Sequence, residues 1–340
     1  MVVIAGSCHG RPRHIVPRVS ASRPSPLRVG VVGLGDIAQK AYLPVLTGRD
    51  DVELTLMTRD ADRLRRVARR YGVPRGTTDL DELLDPAVDA AFVHASTSAH
   101  VELVERLLSA GVHVLVDKPL APTFAGASHL VELAERQHVS LAVGFNRRFA
   151  PAYASLAGLD PAVVLMEKNR AGLPGEPRSL VFDDFIHVVD TVRFLMPPGD
   201  AHPTVWCSVA DGLVTTVTIA LRSGGATGLG VMHRVSGAEE ETLEVLGPGY
   251  KHRVADLAEA WHADASDRAG VRRVGRDSWT PVPTVRGFSA LCDAFLSAVR
   301  AGHVLSARDA LRTHEMCEQA VVEAEAALVA AESEAGATRP

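Results

Sequence analysis

From Leu27 onward, short apolar runs alternate with longer stretches whose apolar residues recur at helical spacing, the pattern of βαβ units wound on a parallel sheet. Runs at 27–32, 52–58, 90–95, 112–116 and 139–143 predict strands, and segments 36–46, 61–71, 81–84, 100–110 and 123–137 predict the helices between them. After Asn146 the pattern changes. A short helix at 151–156 is followed by candidate strands at 163–168, 205–209, 213–221, 227–234 and 242–246, a series that predicts an open, mostly antiparallel sheet. Segments 288–300 and 307–331 read as closing helices, with Leu311, Met316 and Ala320 at helical spacing. The fold class expected is therefore α/β: a doubly wound parallel sheet over 27–146, then an α+β unit over 147–332 whose last helices can pack back on the first. Residues 1–26 hold four arginines, four prolines and no acid, which predicts a flexible tail, and 333–340 should fray.

Composition narrows the function classes. With 340 residues, 46% hydrophobic and 23% charged, the chain is neither disordered nor fibrous, and its length suits two domains with real cores. A net charge of −5 argues against nucleic acid as the main partner, because phosphate binding wants a basic field. Cys8, Cys207, Cys292 and Cys317 lie far apart with no paired spacing, so no metal site or disulfide framework is expected. No run is long enough to span a membrane, the opening apolar run is too short for a signal peptide, and a cytoplasmic location is expected.

The strongest local signal follows the first strand. Gly33, Leu34, Gly35, Asp36, Ile37 and Ala38 form a GxGxxA turn that opens a helix. Gly33 permits the tight turn, Gly35 lets backbone approach a pyrophosphate, and Ala38 allows close helix packing, while the helix N-terminus favours negative charge. The second strand ends in Met57, Thr58 and Arg59, not in the acid that grips a ribose through both hydroxyls. A hydroxyl followed by a guanidinium suits a 2′-phosphate, so NADP(H) is the preferred cofactor and NAD(H) the alternative. Asp60 comes too late in the turn to be the first choice for the ribose.

The strand at 112–116 leads into Asp117, Lys118 and Pro119, placing a lysine where open α/β sheets hold ligands. Downstream stand Gly144 to Phe149 (GFNRRF), the MEKNR run at 166–170, and Asp183, Asp184, His187 and Asp190 within DDFIHVVD. With these motifs the chain resembles the Gfo/Idh/MocA family of nicotinamide-dependent oxidoreductases from about residue 27 to 325, and within it the virulence-factor oxidoreductase branch. The resemblance implies a Rossmann unit followed by a substrate-binding and oligomerising unit. Lys118 would be the general acid/base, with Asp183 and His187 lining the substrate beside it. Ser96, Thr97, His100 and Asp117 would lie along the cofactor with Lys118, and Asn146, Arg147 and Asp184 would contact substrate or join the two units. The underlying chemistry stands by itself: hydride transfer from a carbinol carbon needs a group to take the hydroxyl proton, and a lysine of depressed pKa can do so. Asp183 can instead cap a helix, Asp184 competes with it for either role, and Asp190 is the more structural of the acids. Asp117 departs from the family's usual glutamate, and the stretch between Leu173 and Phe182 is short.

The function expected is an NAD(P)-dependent oxidoreductase acting on a hydroxyl or ketone of a sugar, cyclitol or related small molecule, the sugar resting on the family alone. An imine or enamine reductase and a non-catalytic NAD(P)-binding regulator are the alternatives, and the lysine argues against the last. The resemblance further implies a homodimer or homotetramer through the C-terminal sheet.

Overall fold

The computed structural model describes residues 25–199, 202–267 and 270–337. The tail expected over residues 1–26 lies, apart from Ser25 and Pro26, outside the described residues. Strands β1 (Leu27–Val32), β2 (Val52–Met57), β3 (Arg75–Thr77), β4 (Ala90–Val93), β5 (His113–Val116) and β6 (Leu141–Val143) form a parallel sheet of order 3-2-1-4-5-6. The order reverses between β1 and β4, so the crevice for a ligand opens at the carboxyl ends of those two strands. Helices cover both faces, which is why β1 and β4 are continuous apolar runs. They are α1 (Leu43–Leu46), which continues a π-helical turn at Ala38–Tyr42, α2 (Ala61–Tyr71), α3 (Asp81–Leu84), α4 (Thr97–Ser109) and α5 (Phe124–Gln137). The limits of α2 are set locally. Asp60 accepts a hydrogen bond from the Arg63 N–H (2.9 Å) at one end, and Gly72 ends the helix at φ 67°.

A 3₁₀ turn at Asn146–Phe149 and α6 (Pro151–Ala154) lead into the second sheet. It comprises β7 (Val163–Asn169), β8 (Thr204–Ala210), β9 (Leu213–Ser223), β10 (Ala226–His233), β11 (Glu240–Gly247), β12 (Tyr250–Ala255), β13 (Glu259–Asp264) and β14 (Arg272–Val274), in order 14-13-12-11-7-10-9-8. Among the described residues only the β7–β10 pair of this sheet is parallel. After β7 come α7 (Pro177–Leu180), a π-helical turn at Val181–Phe185 and α8 (Ile186–Leu195); after β14 come α9 (Val282–Val285), α10 (Phe288–Arg300) and α11 (Arg308–Ala337). The chain is still helical at Ala337, past residue 333 where fraying is expected from the sequence.

Helices α8 and α11 pack on one face of the second sheet, over Val164, Met166, Val217, Ile219 and Met232. Helix α10 returns to the first sheet, where Phe288, Cys292 and Phe295 share a core with Val29, Val31, Tyr42 and Phe92. Its approach depends on Gly287, at φ 84°, where a Cβ would collide with the Asn146 carbonyl oxygen and the Ala150 nitrogen. Among the described residues, Cys207, Cys292 and Cys317 are free thiols, no cluster of side chains suits a metal ion, and no helix is long and apolar enough to cross a membrane.

Candidate active site

A cleft of about 460 Å³ opens at the reversal between β1 and β4. Gly33, Gly35, Thr58, Arg59 and Ser96 line it, together with Arg63, Asp79, His94, Ala95 and Arg106. Gly33 sits at φ 89°, and a Cβ there would meet the Ala95 nitrogen at 2.5 Å, so the turn closes on the β4 loop only with glycine. Gly35 has the opposite surroundings: a Cβ would find no protein atom within 4 Å, leaving bare backbone toward the cleft. That cradle, with Arg59 and Arg63 on the β2 side, fits the phosphates of a dinucleotide. Asp60 is engaged as the cap of α2, and no acid stands at the end of β2.

The remaining sequence candidates for the cofactor do not line this cleft. Asp36 is exposed at the helix start and pairs with Lys40 at 2.5 Å; Ile37 and Ala38 pack toward the core. Thr97 is the first residue of α4. His100 is buried and turned away, with Nδ1 2.8 Å from the Pro119 carbonyl and Nε2 3.1 Å from that of Ala95, so it ties the β4 loop to the β5 loop.

Lys118 and Asp117 follow β5. The Lys118 Nζ donates to the main-chain carbonyl of Asp183 at 2.6 Å, not to its carboxylate. Burial lowers the lysine's pKa, Arg147 adds to the effect, and Asp117, Asp183 and Asp184 oppose it. Beside it, burial raises the Asp117 carboxyl to about 6 against the opposing charge of Lys118, and Tyr42 donates to Asp117 Oδ1 at 3.4 Å. His187 follows one helical turn after Asp183, whose side chain is exposed. Burial first, then the charges of Arg147, Lys168, Lys118 and Arg286, hold the imidazole well below its usual pKa, so it is neutral.

The other expected substrate residues are engaged by protein. Asn146 donates to the Arg286 carbonyl at 2.7 Å. Arg147 is buried and makes a bidentate pair with Glu241 at 2.8 and 2.5 Å, to which the Tyr153 hydroxyl adds a bond at 3.1 Å. Asp184 is held by Lys168, by Arg170 at 3.1 Å and by Arg234 at 2.6 Å. Burial pushes its pKa up, but those cations outweigh it and leave the carboxyl at about 2. Asp190 accepts two bonds from Arg148, at 2.9 and 2.6 Å, and one from Thr313 at 3.0 Å, a structural role.

Sequence reasoning passed over two residues here. Lys168, within MEKNR, takes the inward register of β7 after Val164 and Met166, and burial, with Arg147 beside it, lowers its pKa to about 7. A lysine in phase with two core residues was the available signal. His94 ends the apolar run of β4, and a histidine in that position was the only sign of it.

Comparison with known proteins agrees with this geometry. Residues 27–145 match the family described as "Oxidoreductase family, NAD-binding Rossmann fold", and residues 152–265 match "YceM-like, C-terminal domain". The Salmonella typhimurium protein named "Putative oxidoreductase YceM" is 36% identical over 289 residues, covering 81% of this chain and 90% of its own. The myo-inositol dehydrogenase Hyg17 of Streptomyces leeuwenhoekii is 38% identical over 235 residues, 66% of this chain and 70% of that one. A Gfo/Idh/MocA family oxidoreductase from Vibrio cholerae superposes with a TM-score of 0.77 at 31% identity, over 92% of this chain and 100% of that one. The glycine turn, the strand order and the second sheet thus have one common source: the chain belongs to the Gfo/Idh/MocA family of NAD-binding Rossmann oxidoreductases.

Proposed function

We propose that this enzyme moves hydride between a nicotinamide dinucleotide and a hydroxyl-bearing or carbonyl carbon of a polyhydroxylated small molecule, a sugar or cyclitol, with Lys118 as general acid/base. The observation that carries the reading is Lys118 at the mouth of β5, its Nζ fixed by the Asp183 carbonyl and its pKa depressed by burial. Bound nicotinamide supplies the hydride acceptor or donor at C4. In the oxidative direction the neutral amine takes the hydroxyl proton as the carbon loses hydride; in reduction the ammonium returns it to the forming alkoxide. His187, neutral, donates to or accepts from the same oxygen, and Asp183 borders it. Gly33, Gly35 and Ser96 hold the dinucleotide, and Thr58 and Arg59 favour the 2′-phosphate of NADP(H) over NAD(H). The sugar or cyclitol class is supported by Hyg17, a myo-inositol dehydrogenase.

Association is part of the proposal. One face of the second sheet is covered by α8 and α11, while the other carries half-buried Val163, Leu165, Leu229 and Val231 and ends at Trp206, 55% exposed. A homodimer or homotetramer through that face is expected, read by sedimentation.

The test is titration with NADPH and NADH, followed by hydride exchange against sugars, inositols and their keto forms. Tighter NADPH binding with turnover of a panel member is the expected result. Failure to bind either nucleotide overturns the reading, and tighter NADH binding overturns the assignment of Thr58 and Arg59.

A further inference from the structure

Lys118 is held by a main-chain atom, so its place depends on whatever fixes that stretch of chain. Its Nζ donates to the Asp183 carbonyl, which belongs to the π-helical turn Val181–Phe185. Such turns are rare, single-turn departures from the α-helix, and this one is fastened on two sides. Val181, Phe182 and Phe185 are buried and tie it to the core. The residue after the carbonyl, Asp184, is gripped by Lys168, by Arg170 at 3.1 Å and by Arg234 at 2.6 Å.

Topology brings those three cations together. Strands β7 and β10 run parallel, so their carboxyl ends finish on the same side of the sheet. Lys168 and Arg170 come from the end of β7 and Arg234 follows β10, and the Arg170 N–H donates to the His233 carbonyl at 2.8 Å, which fixes the two ends in register. Antiparallel strands would put these ends on opposite sides. The side chains are themselves restrained: Lys168 is 3% exposed, and Arg234 also donates through Nε to the Leu173 carbonyl at 2.5 Å. Three like charges around one carboxylate repel one another, and Glu239, 4.0 Å from Arg170, offsets only part of this. One cation would have sufficed to pair Asp184. Proton transfer, however, needs the amine within hydrogen-bond reach of the substrate hydroxyl, and a misplacement of about 1 Å can cost a hundredfold in rate. We propose that Lys168, Arg170 and Arg234 are positioning residues, whose grip on Asp184 fixes the π-helical turn so that the Asp183 carbonyl holds the Lys118 Nζ at the reacting oxygen. The inference rests on Lys118 as general acid/base and adds what keeps that amine in place.

The test uses Arg234→Met and Arg234→Lys, each alone and combined with Lys118→Ala. Arg234→Met leaves Asp184 with Lys168 and Arg170, so the turn is loosened without stranding the carboxylate. Arg234 meets Asp184 through one nitrogen, Nη1, so a lysine can restore the contact. The first measurement needs no substrate. The chain has four lysines, Lys40, Lys118, Lys168 and Lys251, and acetic anhydride labelling read by mass spectrometry gives the rate at Lys118 relative to exposed Lys251. Lys118 should label roughly threefold faster in Arg234→Met, as an amine that has lost its acceptor does. Arg234→Lys should return most of the way, and both variants should bind NADPH as wild type does, which reports that they are folded. The second measurement is turnover of the sugar or inositol that the wild type accepts. Arg234→Met should lower kcat roughly tenfold in the wild-type background and leave it unchanged in the Lys118→Ala background, because it acts through the lysine. Unchanged labelling in Arg234→Met overturns the proposal. So does a failure of Arg234→Lys to recover, or an equal loss of turnover in both backgrounds, which assigns the three cations to stability. Full turnover by Lys118→Ala alone overturns the acid/base reading instead, an outcome distinct from the others.

Discussion

Among the described residues Lys118 has one hydrogen bond to protein, to a carbonyl oxygen, and a carbonyl cannot take its proton. The amine is therefore oriented without being neutralised by a fixed carboxylate contact, as a group that must both gain and lose a proton requires. Lys118→Ala should lower turnover at least about a hundredfold while leaving cofactor affinity nearly unchanged. Oxidation in the wild type should rise with pH through the lysine's lowered pKa, because the neutral amine is the base; equal activity of the variant, or a flat profile, removes Lys118 from the mechanism. Asp184 poses the opposite case. It anchors Lys168, Arg170 and Arg234, so Asp184→Ala strands three cations and should cost about 3–5 kcal/mol of stability in chemical denaturation. At this scale the sequence was legible where a motif fixes backbone position, as at Gly33 and Lys118. It was silent on which inward side chains meet across the fold: nothing local joins Arg147, on the 3₁₀ turn, to Glu241, on β11, or Lys168, on β7, to Asp184, in the π-helical turn, because each pair forms only when those separate elements pack together.

Elements with their own capping and apolar periodicity were read almost residue for residue: α2 with Asp60 and Gly72, α10 with its face of Phe288, Cys292 and Phe295, and β1. The strands missed were β3, β12, β13 and β14, whose sequences RGT, YKHRVA, EAWHAD and RRV carry little apolar alternation, and the helices α7, α8 and α9 were not predicted either. The strand character of those four comes from pairing with a neighbour already in place, a tertiary cause that local propensity does not record. Both π-helical turns, at Ala38–Tyr42 and Val181–Phe185, were likewise invisible, and they border the glycine turn and His187. Gly287 tests how far the placement of α10 depends on a single position. Gly287→Ala puts a Cβ at positive φ into the backbone of the Asn146–Phe149 turn, and should lower stability by more than about 2 kcal/mol, read as a drop in Tm. An unchanged Tm shows that the turn and α10 move apart at little cost.

The two sheets are clamped by α11 and α10, and most of the shifted groups around them act in one direction as pH falls. His314, on α11, accepts from the Leu120 N–H at 2.9 Å through Nε2 and therefore donates from Nδ1 to the Ala310 carbonyl at 2.8 Å, so a second proton has no place. Burial lowers its pKa to about 4 and that of His94 to about 3, and His187 is shifted the same way. In the unfolded chain these imidazoles take up protons near pH 6.5, whereas the folded protein does not until far lower pH. Their contribution is thus whole above pH 6.5 and shrinks as pH falls toward 4. Glu241 behaves alike at lower pH: burial opposes its ionisation, but the Arg147 charge and hydrogen bonds leave it at about 2, as Asp184 is, and their contribution is lost as pH drops from the ordinary carboxylate range toward that value. Asp117, raised to about 6 by burial, opposes the trend, since it folds more readily protonated, but it is one group against five. The Tm should therefore fall by roughly 10 °C between pH 7 and pH 4, as followed by circular dichroism. Helix α11 should lose amide-exchange protection together with the parallel sheet, because His314 joins the two; a Tm flat across that range, or a helix that loosens by itself, contradicts the junction as the site of acid sensitivity.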